Sequence, residues 1–430
     1  MLRKIIRSLV PPSKRIAINQ WRKSFGIRVR RSLRYISNPG EEYSDPTLFF
    51  YESNAHLTCG YYDLDPFFPD KDAFLALRTT AENKPLQRRT SAEVGIVLIE
   101  GPRKNAFVPL ALTDTWCWQQ GCRLQWIPGE EGRVAIFNRS VNGNPGSVLL
   151  NVMNGEVLRE FEAPVYSVSP QGDCAVTLDF ARLHRMRPGY GYPEFAEPNR
   201  DISVPDNDGI WLMSMLSGER KLLISIAELA EIEPQASMRG GDHYINHLAF
   251  SGSGERFLCI HLWVNNGRRF GRLITMKHDG TQIRVLNKDG HASHYTWRND
   301  TELLHYTTQE NRGTGYYLYN ELDKSAVMVG EGVLREDGHP TFLADKRRLI
   351  TDTYPDKYGD QKVLLYDIDL NNCIELGKFY LPPNFAGETR CDLHPRLDRA
   401  QRWMAVDVVR KGRRGVQLIR VPAGNDIKGI

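Results

Sequence analysis

The strongest constraint on this chain is a short module that recurs along it. Each copy has an approach, an aromatic or aliphatic anchor, a polar turn and a second apolar strand. It is clearest as HLAFSGSGERFLCIHLW from His247, HYTWRNDTELLHYTT from His294, HPTFLADKRRLITDTY from His339 and HPRLDRAQRWMAVDVV from His394. Fainter copies start at Tyr61, Cys122 and Val165, making seven. Spread over residues 45–421 they average about 54 residues each, close to the period of propeller blades. Between the copies, Ser147–Val152, Gly209–Met213, Gly271–Met276, Gly315–Tyr319 and Lys362–Asp367 read as strands bounded by turn residues. Leu222–Ile232 is the only internal stretch with helical periodicity. The pattern predicts an all-β chain, a seven-bladed β-propeller over residues 45–430. Its last strand, Gly415–Val421, is expected to pair into the first blade and remove the exposed edges.

The 430 residues carry a formal net charge of +4, but unevenly. Residues 1–36 hold eleven Lys and Arg and no acid. Removing those eleven from the 56 basic residues leaves 45 against 52 acidic ones, so the body is near −7. A basic N-terminal extension, taken here as residues 1–44, therefore precedes a mildly acidic body. That balance argues against a nucleic-acid surface on the propeller. Leu2, Ile5, Ile6 and Leu9 have the spacing of a short amphipathic helix, which Pro11–Pro12 ends. Residues 1–36 fit peripheral contact with an anionic membrane surface. The alternative is that they pack on the body's own acidic patches. No 18-residue apolar run predicts a spanning helix, and Arg7 interrupts anything like a signal peptide. Seven cysteines, an odd number, are expected as free thiols of a reducing cytoplasm, at or near the inner membrane.

The anchors of the four clear copies are Phe250, Trp297, Phe342 and Leu397, and three residues before each stands a histidine: His247, His294, His339 and His394. The intervals of 47, 45 and 55 residues are one blade each. Inner strands run along a propeller's axis, so these imidazoles are expected to converge near one mouth of the channel. The competing explanation is a histidine that merely braces each blade. Against that, the faint copies carry Leu64, Arg123 and Val165 at the same register. His243, Tyr244, Asn246, His291, Ser293, Asp337, Arg390 and Asp392 thicken the same half. His261, Asp352 and Asp407, with Asp179 in an earlier blade, are expected to stabilise blades. The run Gly189–Tyr190–Gly191–Tyr192 reads as a surface loop, or as an aromatic platform for a sugar. A ring of histidines suits two chemistries: a divalent metal such as Mn or Zn, with Asp392 completing the shell, or a base tuned by burial.

The strings DGHASHYTW, DGHPTF, TDTYPD and ETRCDLHPR resemble those of the oligogalacturonate-lyase-like β-propellers, convincingly over residues 240–410. The resemblance implies β-elimination on uronate-containing oligo- or polysaccharides. It implies metal ligation by His339 and His394, with Asp392 where the family has a further histidine. His247 or His294 would then be the base, and Tyr244, Tyr295 or Tyr354 the acid. Arg390, with His243 and His291, would bind the substrate's acidic group. The alternative is a non-catalytic propeller that binds an acidic glycan or a partner protein in a cell-envelope polysaccharide pathway. A plain protein-interaction scaffold is a third reading.

Overall fold

A computed structural model describes residues 22–31 and 48–422, apart from 88–89, 103 and 289. Those residues form seven antiparallel four-stranded sheets, one per repeat. The innermost strands of the last four blades are Asp242–Phe250, Ala292–Trp297, Thr341–Phe342 and Arg396–Leu397. Each ends on its predicted anchor, where a polar turn reverses the chain into the second strand. These second strands are buried on both faces, as in Arg256–Asn265, because each sheet is covered by the blade on either side. The core therefore lies between blades. Ile136 of the second packs with Ala175 and Met213 of the third, and Leu304 of the fifth with Leu349 and Tyr366 of the sixth.

Closure differs from expectation in its direction. The C-terminal strand Arg413–Arg420 stays in its own blade, and the N-terminal strand Leu48–Phe50 crosses over to pair with it, Leu48 opposite Leu418 and Phe50 opposite Val416. The first strand thus becomes the outer edge of the last sheet. Its apolar character explains the choice, since Phe50 is fully buried against Phe74, Ala405, Val416 and Leu418. Leu222–Ile232 is also corrected. Its first residues belong to the strand Arg220–Ser225, and the helix Ile226–Glu231 begins only after Ser225, which forms a capping box with Glu228. A second short helix, Phe180–Met186, had no periodic signal and is capped by Asp179.

Of the basic extension, residues 22–31 form a helix against the sixth blade. Ile27 is buried, Arg31 pairs with Asp360 at 2.8 Å and lies over the Tyr380 ring, and Arg30 donates to the Lys357 carbonyl. This part of the arm does pack on an acidic site of the body. The amphipathic stretch Leu2–Leu9 lies outside the described residues. Among the described residues no helix is long and apolar enough to cross a membrane, and all seven cysteines are free. Because Phe50 seals the ring, Phe50→Ala is expected to cost about 3–5 kcal/mol in urea unfolding. An unchanged midpoint would contradict closure through this strand.

Candidate functional site

The inner strands carry irregularities at the histidine register, and these turn the side chains toward the axis. The pairing of Asp242–Phe250 slips between Asn246 and Leu248, and that of Ala292–Trp297 between Ala292 and Tyr295. His247 and His394 adopt positive φ, 60° and 46°, as does Arg123 at 53° in the equivalent place of the second blade. Left-handed backbone at non-glycine residues is uncommon, and a bulge re-aims the side chain it displaces. The shared distortion supports the register drawn through the faint second copy.

The four imidazoles meet. Ring centroids are 6.3 Å apart for His247–His294, 4.1 Å for His294–His339 and 4.4 Å for His339–His394. All four are buried. The chain after the strand His56–Thr58 crosses the axis among them. Tyr61 stacks on His247 at 5.3 Å and meets His394 edge-on at 4.8 Å, while Tyr62 lies 5.1 Å from His339. Arg396 holds this crossing by donating to the carbonyls of Gly60 and Tyr61, and the Tyr62 hydroxyl donates to the Tyr295 carbonyl. On its other side Tyr62 lines, with Asp63, Phe250, Trp297 and Leu397, a separate cavity of about 380 Å³. The axis is therefore plugged rather than open.

Carboxylates fix the tautomers. His339 Nδ1 lies 2.8 and 3.0 Å from the two oxygens of Asp352, which also accept the backbone N–H groups of His339 and His394. His294 Nδ1 lies 3.0 Å from Asp337, which Ser293 also holds. With Nδ1–H donated in both rings, Nε2 carries the lone pair. The Nε2 atoms of His294, His339 and His394 are buried without a hydrogen-bond partner. An unsatisfied buried polar atom costs about 1–3 kcal/mol, and a histidine that only braced its blade would not need its Nε2 left in that state. Burial, reinforced for His394 by the neighbouring His339, holds the His294 and His394 pKa values below the ordinary range, so both rings are neutral. One potential donor atom from each of His339, Asp392 and His394 lies within 4.8 Å of the others. Burial opposes ionisation of Asp392, but the Arg390 guanidinium gripping it at 2.5 and 2.7 Å outweighs that and keeps it a carboxylate. Two imidazoles and a carboxylate, buried, with the Asp352 carboxylate behind His339, fit Mn or Zn.

Other expected residues fall differently. Both nitrogens of His247 are engaged, Nδ1 with the Tyr166 hydroxyl at 3.2 Å and Nε2 with the Asn246 amide at 3.0 Å. Tyr354 is close, 6.2 and 6.0 Å from His294 and His339. Tyr295 lies 5.6 Å from His247, and the Tyr244 and Tyr295 hydroxyls are buried without partners. Arg390 is not a free clamp, because Asp392 already occupies its fork. His243 is tied within its own blade to His261 and the Met238 carbonyl, stacked on Trp263. His291 is exposed and packs by Tyr306. Neither of these two joins the cluster. Asp407, bound to Arg396 and Thr58, is structural as expected, whereas Asp352 both braces and orients.

Gly189–Tyr192 is not a surface loop. Tyr190 and Tyr192 are buried, and a Cβ on Gly191 would stand 2.1 Å from the Phe180 carbonyl oxygen. Tyr190 lies 6.3 Å from both Tyr61 and His247. Tyr61, Tyr62 and Arg187 went unrecognised as site residues in the sequence. Arg187 ends the helix Phe180–Met186, and its guanidinium lies 3.9 Å from the centre of the Tyr190 ring.

No family model matches the sequence, and no curated protein matches it either. Solved structures do. An oligogalacturonate lyase from Vibrio parahaemolyticus superposes with a TM-score of 0.59 at 11% identity, covering 88% of this chain and 95% of that one. An oligogalacturonate lyase in complex with manganese gives 0.62 at 10% identity, covering 89% and 95%. The chain has the propeller fold of those lyases. At this identity the likeness speaks for the fold alone, and the chemistry rests on the cluster. Asp352→Asn removes the charge behind His339 and replaces one of the two accepting oxygens with an amide donor. It is expected to weaken manganese or zinc affinity about 10- to 100-fold by titration calorimetry, and unchanged affinity would contradict the metal assignment.

Proposed function

We propose that this propeller cleaves uronate-containing oligo- or polysaccharides by β-elimination at the histidine cluster. The carrying observation is the set of three buried, unpartnered Nε2 atoms of His294, His339 and His394, two of them from rings oriented by carboxylates. Elimination needs the C5 proton of a uronate made acidic, a base to remove it, and a proton for the departing glycosidic oxygen. A divalent cation, Mn or Zn, held by His339, His394 and Asp392 would neutralise the uronate carboxylate and so acidify that proton. His294 supplies the base: its ring is neutral, its Nε2 lone pair is unused, and Asp337 stabilises the imidazolium formed. Tyr354 supplies the proton to the leaving oxygen. Burial pushes its phenol pKa well up, keeping it protonated, and the Arg390 guanidinium lies 4.6 Å from its ring centre. The manganese complex of the similar lyase supports the metal reading.

The second reading is a non-catalytic propeller that binds an acidic glycan or a partner in envelope-polysaccharide synthesis. It is favoured by His247, whose two nitrogens are both occupied, so that of the two candidate bases only His294 remains. In either case the helix over residues 22–31 leaves Arg22, Lys23, Phe25, Arg28 and Val29 exposed. That suits peripheral contact with the cytoplasmic face of an anionic membrane.

The deciding assay follows the absorbance of the unsaturated uronate product over a panel of acidic oligosaccharides, with chelator and with added manganese. A chelator-sensitive rise is expected. His294→Ala should lower the rate at least about 100-fold with the melting temperature little changed. Full activity in that variant would remove His294 as the base. Binding without product across the panel would favour the second reading.

A further inference from the structure

Three arginines lie on or end the helix Phe180–Met186, and one of them differs from its neighbours. Arg182 and Arg185 are both paired with Glu197 and Asp242. Two fully buried arginines near the axis are matched too, Arg123 to Asp63 and Arg396 to Asp407. Arg187 has no hydrogen bond or ion pair through its guanidinium among the described residues. It lies over the face of Tyr190 at 3.9 Å. Tyr190, Tyr244, Tyr61 and Tyr354 are near enough to act on its charge. The hydroxyls of Tyr61, Tyr190 and Tyr244 are themselves buried without partners. Arg187 lies beside the cluster, because the Tyr190 ring it covers is 6.3 Å from both Tyr61 and His247.

Arg187 is half-buried with its fork unused, and the buried, unpartnered hydroxyls of Tyr61, Tyr190 and Tyr244 carry a cost that a ligand could remove. A planar carboxylate is the complement: two oxygens to accept the guanidinium fork, and further lone pairs for phenolic O–H groups. We propose that Arg187 with Tyr61, Tyr190 and Tyr244 forms a carboxylate-binding subsite beside the histidine cluster, which takes a second acidic group of the same ligand. The ligand's being an acidic sugar rests on the lyase reading; the anion subsite does not. It follows that a ligand with carboxylates on two consecutive units is held at two points, one at His339, Asp392 and His394 and one at Arg187.

The test uses calorimetry on the full chain. In chelator-treated protein, galacturonate should bind and galactose should not, and Arg187→Gln should weaken galacturonate at least about 10-fold. In manganese-loaded protein, the advantage of digalacturonate over galacturonate should shrink by a similar factor in that variant. If Arg187→Gln fails to fold, Arg187→Lys keeps the charge but loses the fork and should give a smaller drop in the same direction. Galacturonate binding that is absent from metal-free wild-type protein, unchanged by the substitution or matched by galactose would overturn the subsite. Failure of the lyase reading would show separately, as the absence of unsaturated product while carboxylate binding at Arg187 persists.

Discussion

A ring of sheets holds its axis only while its last sheet is complete, and here completion depends on three residues from the other end of the chain. Leu48–Phe50 pairs with Arg413–Arg420, and Phe50 is buried between the first and last blades. Each inner strand takes its position from the blades on either side. The distances between the imidazoles are thus set by the whole circumference rather than by any local turn. The same seam fixes the axial plug, because Asp407 of the last blade binds Thr58 and Arg396 while Arg396 holds the carbonyls of Gly60 and Tyr61.

Within that frame the site is built by pairing charges behind the groups that must stay unpaired. Asp352 links two blades, accepting from His339 and from the backbone of His394. Asp337 plays the equivalent part for His294, and Arg390 for Asp392. The carboxylates hold Nδ1 of His294 and His339, so those two Nε2 atoms, together with that of His394, are left unpartnered. Burial keeps His294 and His394 neutral at physiological pH. The resulting arrangement is preorganised, with the Nε2 atoms of His294, His339 and His394 left without partners.

Much of this was legible in the sequence, for a physical reason. A propeller repeats one hairpin, so an anchor and the residue three places before it recur in equivalent positions, and four histidines at one register had to meet. Asp352 was visible at a repeated position too, although its part in orienting His339 was not. What escaped lies off the repeat. Arg187 sits after a seven-residue helix with no periodic signal, Tyr190 in a glycine run that reads as surface, and Tyr61 in the faintest copy. His243 and His291 were drawn in by nearness in sequence. The bulge at His247 takes it out of the register it would share with His243, and His291 lies exposed just before its strand. The direction of ring closure was also hidden, since pairing of Leu48–Phe50 with the last strand is compatible with either sheet.

The most direct measurement is anomalous diffraction from crystals of the full chain soaked in manganese. The account predicts one strong peak bounded by His339 Nε2, His394 Nε2 and an Asp392 carboxylate oxygen, absent after chelation. No peak there at full soaking, or a peak only at surface carboxylates, would contradict a metal centre and return the histidines to a bracing role.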